Sequence, residues 1–118
     1  MALAEWDRDF KVWSYAFSYS QLLFRSPPKF DDDLRVDVLF SNVRAMNIPT
    51  RLSGLKIEIA DFSEMREHLN IGEVPNEPFE LYVLNGGPHY ILATQCQSHE
   101  DHEWVGAPSH FGPLRGVD

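Results

Sequence analysis

The densest run of chemically capable side chains in this sequence is Ser98-His99-Glu100-Asp101-His102-Glu103, with His110 downstream. Imidazole and carboxylate are ligands that zinc and related metals accept, and a catalytic zinc keeps one position open for water. On a helical turn, His99 and His102 would meet on one side, and Glu103 or His110 would complete a set. The run is not the His-Glu-x-x-His pattern of metalloproteases, whose histidines stand four apart on a helix with a glutamate between. A metal site at His99, His102 and His110, loaded with zinc or a similar ion, is therefore one expectation. The plainer alternative is a polar hairpin connection before Trp104, with no cofactor.

Other candidate chemistry is thinner. Cys96 is the single cysteine, and the acidic stretch after it is a poor setting for a thiolate. A small buried or edge-strand thiol is the expectation there. Ser98 and Ser109 lack the Gly-x-Ser-x-Gly turn that exposes a nucleophile. Asn85-Gly86-Gly87 would need a following helix to cradle phosphate, but Pro88, His89 and Tyr90 resume a strand pattern. Asp31-Asp32-Asp33 lacks the alternate spacing of a calcium loop and reads as a solvated loop after Pro27-Pro28. No constellation specifies a reaction, so binding is favoured over catalysis.

The charge is distributed unevenly. Residues 1–60 carry eight acidic and eight basic side chains, whereas residues 61–118 carry ten acidic side chains against Arg66 and Arg115. The net charge of −8 therefore belongs to the second half, which also holds all five histidines. Such a surface repels a phosphate backbone and excludes nucleic acid as the expected partner. It attracts a basic protein or a cation. Glu100, Asp101 and Glu103, with Trp104 and Trp6 as aromatic contacts, are the expected binding residues. A homodimer is a further expectation. Apolar runs are too short to span a membrane, and the N-terminus has no basic-then-apolar leader. With one cysteine and no internal disulfide, a cytoplasmic protein is expected.

The elements that must position these residues are mostly strands. At 118 residues with 43% hydrophobic side chains, the chain suits one domain, 1–118, with loose ends at 1–8 and 112–118. Leu55-Lys56-Ile57-Glu58-Ile59 alternates strictly, which puts Leu55, Ile57 and Ile59 on one buried face. Leu34-Arg35-Val36-Asp37-Val38 does the same and continues through Leu39 and Phe40. Val43 to Ile48 is short and suits pairing with either of these strands. Trp13, Tyr15, Phe17 and Tyr19 fall on alternate positions, where aromatics are usually core. Leu22-Leu23-Phe24 follows a polar break. Asp61 caps a helix over Phe62–Leu69, with Phe62, Met65 and Leu69 on one face. Phe79–Leu84 and His89–Gln95 form a hairpin around Asn85-Gly86-Gly87-Pro88, and Trp104-Val105 supplies a last edge strand. The fold class is α+β, predominantly antiparallel β: a β-sandwich or rolled sheet with one short helix near 62–69.

The run Trp13-x-Tyr15-x-x-Ser18-x-Ser20-x-Leu22-Leu23-x-Arg25-Ser26 precedes Val38-Leu39-Phe40-x-x-Val43-x-x-Met46-x-x-Pro49-Thr50 and then Gly54-Leu55-x-Ile57. With the later hairpin and Pro108-Ser109, this pattern resembles a family of small, uncharacterised bacterial proteins. It departs from that family at Trp104, where a tyrosine, an acidic residue and Pro-Ser are usual. Small acidic domains of this kind resemble the immunity proteins of bacterial toxin systems, which implies a protein that neutralises a toxin by binding it. The resemblance assigns no functional residue.

Overall fold

In a computed structural model of the protein, residues 2–17, 20–28, 34–61 and 78–111 are described. The period-two runs become eight strands: β1 (Ala2–Ala16), β2 (Gln21–Ser26), β3 (Arg35–Ser41), β4 (Ala45–Asn47), β5 (Arg51–Ala60), β6 (Glu80–Leu84), β7 (His89–Ala93) and β8 (Gln95–Asp101). They make one sheet in the order β4-β7-β6-β5-β1-β2-β3-β8. Every pairing in it is antiparallel. The expected two-sheet sandwich is thus replaced by the rolled alternative. The expected helix at 62–69 lies outside the described residues, as do Tyr19 and Asp31–Asp33.

The sheet rolls because its two ends belong to the same ribbon. β4 is the continuation of β3 past Asn42, and β8 is the continuation of β7 past Thr94. β3 pairs with β8 through Phe40 and Cys96, and β4 pairs with β7 through Met46 and Ile91. Backbone bonds bridge the bend, from Thr94 N to Ser41 O at 3.1 Å and from Arg44 N to Leu92 O at 2.8 Å. The ring then closes through β6, β5, β1 and β2. Closing a sheet on itself removes most of the exposed edges that an open sheet leaves. The short Val43–Ile48 stretch, expected to pair with a strand flanking it in sequence, instead pairs with β7. No helix among the described residues is long and apolar enough to cross a membrane.

Inside the ring lie Phe10, Leu22, Phe24, Val36, Val38, Phe40, Leu55, Ile57, Leu84 and Ile91, all buried. Phe40 packs edge-on against both Phe24 and Tyr82, at ring separations of 6.2 and 5.4 Å. These offsets suit the quadrupoles of aromatic rings. Ile59 was expected in this core, but it pairs with Tyr82 of β6 just beyond the last β1 partner of β5, Glu58, and is half exposed.

β1 passes from one neighbour to the other. Residues 2–11 pair with β5 and residues 11–16 with β2, so Lys11 faces Arg51 on one side and Arg25 on the other. Residues 2–8 are therefore strand, where a loose end was expected. The register slips between Trp6 and Asp9 and again between Val12 and Ser14, yet exposure alternates without a break along the whole of β1. Trp13, Tyr15 and Phe17, expected in the core, are exposed, Phe17 at 85%, while Val12 and Ala16 take the more buried positions beside them. The β6–β7 hairpin matches its sequence reading. Asn85, Gly86 and Gly87 all have positive φ, which glycine and asparagine tolerate best. The Asn85 side chain also accepts from Lys56 N and donates to Gly54 O, tying the turn to β5.

Candidate functional site

The residues singled out by their chemistry cluster on the outer surface of β2, β3 and β8. Strand alternation and register arrange that surface in rows. Leu23, Leu39 and Gln97 make one row, and Arg25, Asp37 and His99 the next. Beyond them Arg35 stands opposite Asp101. Residues 102–111 fold back across these rows as a strap. Trp104-Val105, expected as an edge strand, forms a turn in it, with Ala107 N bonded to Trp104 O at 3.0 Å.

Two arginines fasten the strap. Arg25 grips Asp37 with both arms of its guanidinium, Nε to Oδ1 at 2.7 Å and Nη2 to Oδ2 at 3.0 Å. Its remaining nitrogen donates to the carbonyls of Val105 and Ala107, at 2.8 and 3.3 Å. Arg35 grips Asp101 in the same forked way, at 3.0 and 2.9 Å. It also donates to the carbonyls of Trp104, Ala107 and Pro108. Arg25, Arg35 and Asp37 are each only 1% exposed. A buried guanidinium needs a carboxylate opposite and acceptors for its other donors, and the strap carbonyls supply those acceptors. On the far side Trp13 lies over Arg25, its ring centre 4.8 Å from the guanidinium carbon, a cation–π contact. Sequence reasoning passed over Arg25, Arg35 and Asp37. The available signal was an Arg or Asp at every second position of otherwise apolar strands.

The acidic segment does not act as one patch. Glu100 and Asp101 are neighbours on a strand and so point to opposite faces. Glu100 accepts from Trp6 Nε1 at 3.1 Å, and Trp6 in turn packs against the core beside Phe10. Asp101 is committed to Arg35. Its partial burial alone would raise the carboxyl pKa. The Arg35 hydrogen bond and charge, the Glu103 amide and nearby His99 outweigh that, and hold it below the ordinary aspartate value. Glu103 is exposed at the start of the strap, its amide bonded to Asp101 Oδ1 at 3.2 Å. Trp104 is 68% exposed and lies against Gly106, where a Cβ would come within 2.2 Å of the ring.

The histidines are placed differently from the helical turn expected of them. His99 is in β8, and its ring stacks on His110 of the strap at 3.7 Å, tilted by 13°. Together with Asp101, Glu103 and Ser109 they line a cleft of about 390 Å³. Parallel rings send their in-plane lone pairs out side by side, so as placed they do not converge on one ion. His102 is exposed and outside that cleft. His89 begins β7, and its Nδ1 is buried with no hydrogen-bond partner among the described residues. Among the described residues, no three His, Cys, Asp or Glu side chains are grouped to hold a metal ion. Cys96 faces the barrel interior, where burial pushes its thiol up to about 12. At neutral pH such a thiol is a poor nucleophile.

The geometry therefore offers a rigid surface with exposed aromatics above a buried ionic network. Comparison of the chain with protein families, with curated proteins and with solved structures finds no match to any of the three.

Proposed function

We propose that this chain is a non-enzymatic protein-binding module that takes a basic partner, in the manner of an immunity-type inhibitor of a toxin. The observation that carries the reading is the pair of exposed tryptophans above one buried ionic network, Trp13 over the Arg25 guanidinium and Trp104 in the strap that Arg25 and Arg35 fasten. Trp13 lies on Arg25, and Arg25 bonds the carbonyl of Val105, the residue after Trp104. Trp13 is 42% exposed and Trp104 68%. Tryptophan is the residue most enriched among those that dominate binding energy, and Trp13, seated on Arg25, loses less entropy on docking than a free ring would. The net charge of −8 would speed encounter with a basic surface. Glu103, exposed beside Trp104, places some of that charge at the rim.

The test is capture from the native host with wild-type protein and with a Trp13→Ala, Trp104→Ala, Glu103→Lys variant, followed by titration of the protein identified. All three side chains are solvent-exposed, so the variant is expected to keep its circular dichroism spectrum. A basic partner bound by the wild type, lost by the variant and weakened by salt is the expected result. Equal retention by both proteins would sink the proposal. An adjacent gene for a secreted toxin would name the first partner to titrate.

A further inference from the structure

A second cavity lies on the same three strands, beyond the end of the strap. It is an open groove of about 500 Å³, and its lining residues include Leu39, Asn42, Gln95, Gln97 and Phe111. We propose that this groove binds a neutral, polyhydroxylated ligand of the saccharide class. The proposal is independent of the protein-binding reading, because it uses none of the same residues.

Among the described residues the lining has no charged side chain, only amides, hydroxyls, one leucine and one aromatic ring. Among the described residues no cation is there to hold a phosphate or carboxylate, and no imidazole, thiolate or carboxylate to hold a metal. Each amide presents one acceptor oxygen and two donor hydrogens, which is what adjacent hydroxyls of a sugar require. The amides of Asn42, Gln95 and Gln97 make no hydrogen bond among the described residues, so their capacity is available to a ligand.

Their positions are set by the backbone. Gln95 and Gln97 are two apart on β8 and so project from one face, opposite Ser41 and Leu39 of β3. Asn42 occupies the bend between β3 and β4 with φ of 58°, a conformation asparagine adopts more readily than most residues. The flanking backbone bonds, Val43 N to Ser20 O and Thr94 N to Ser41 O, fix that bend. Phe111 forms the wall. It packs on Ala16, Leu23 and Leu39 and stays half-exposed, so part of the ring meets the cavity. A flat apolar wall beside a row of amides fits a sugar, which has both an apolar face and a polar rim.

The experiment is a proton–nitrogen NMR titration of the full chain with glucose, N-acetylglucosamine and their β-linked disaccharides, with glucose 6-phosphate as the charged comparison. Shifts confined to the side-chain amides of Asn42, Gln95 and Gln97 and to Phe111 are expected, with the phosphorylated sugar binding more weakly. The Gln95→Ala, Gln97→Ala double variant removes two exposed amides and should bind about 25-fold more weakly, given roughly fivefold per neutral hydrogen bond lost. An unchanged backbone spectrum away from the groove would show that this variant folds. Absence of amide shifts with every neutral sugar, equal binding by the double variant, or tighter binding of the phosphorylated sugar would each overturn the proposal.

Discussion

Replacing Asp37 with alanine should be among the most damaging single changes on the outer face of this barrel. Asp37 and Arg25 are directly opposite in the β2–β3 register and both 1% exposed. Two charge-assisted bonds of 2.7 and 3.0 Å join them. Removing the carboxylate leaves a guanidinium sealed beneath the strap. The Val105 and Ala107 carbonyls still accept from it, but they neutralise no charge. Breaking a buried pair from one side costs about 3–5 kcal/mol, against a total stability of about 5–15 kcal/mol for a domain. For a chain of this size the melting temperature should fall by about 10–20 °C. Urea unfolding followed by circular dichroism measures the change as a shift in midpoint at constant slope. The double variant Arg25→Met, Asp37→Leu removes both charges and should recover much of the loss, because an apolar pair carries no desolvation penalty. It should still speed amide hydrogen exchange along residues 105–108, where the carbonyls lose a donor and the strap loosens. A loss below about 1 kcal/mol for Asp37→Ala would refute the reasoning, since a buried, uncompensated guanidinium cannot be that cheap.

Further expectations concern the strap and the barrel interior. Because the Asp101 carboxyl titrates below its unfolded value, its contribution is complete above about pH 3.9 and is lost as pH falls through the folded value. Urea midpoints at pH 7, 4 and 3 should show Asp101→Asn less stable than wild type at pH 7, with the gap closing towards pH 3. A constant gap would count against the Arg35 pairing. Cys96, with its thiol raised from 9.0 to about 12, should hold about a thousandfold less thiolate at neutral pH than an ordinary thiol. A colorimetric disulfide reagent should label it slowly in the folded protein and rapidly in urea; fast labelling of the folded protein would contradict the inward placement. Gly106→Ala puts a methyl within 2.2 Å of the Trp104 ring, which is exposed and free to swing. It should alter tryptophan fluorescence while costing under about 1 kcal/mol, in the range of surface changes. A loss of several kcal/mol would mean that the ring is held in place.

Local chemistry was enough to specify several features. The alternation in Leu55–Ile57 gave a strand with its buried face, and Asn85-Gly86-Gly87 gave a hairpin turn, because both depend on residues adjacent in sequence. The β-rich, antiparallel class followed from several such runs. Alternation also held the information that Glu100 and Asp101 diverge, once that segment is read as strand and not as a helical turn. What period two cannot say is which face of a strand will be covered, or by what. β3 buries both faces, Val36, Val38 and Phe40 inside the barrel and Arg35 and Asp37 beneath the strap. That depends on contacts between residues up to 73 positions apart. On β1, Val12 packs on the core and Ala16 is buried, while Trp13, Tyr15 and Phe17 on the alternate positions are exposed, a choice of face that no local pattern encodes. The same holds for the run of histidines and acids with which the sequence begins to look chemical. Its residue types were legible from the start, but only the fold put His99 against His110, Asp101 on Arg35 and Glu100 on Trp6, because charge satisfaction and ring contact are settled by which strands become neighbours.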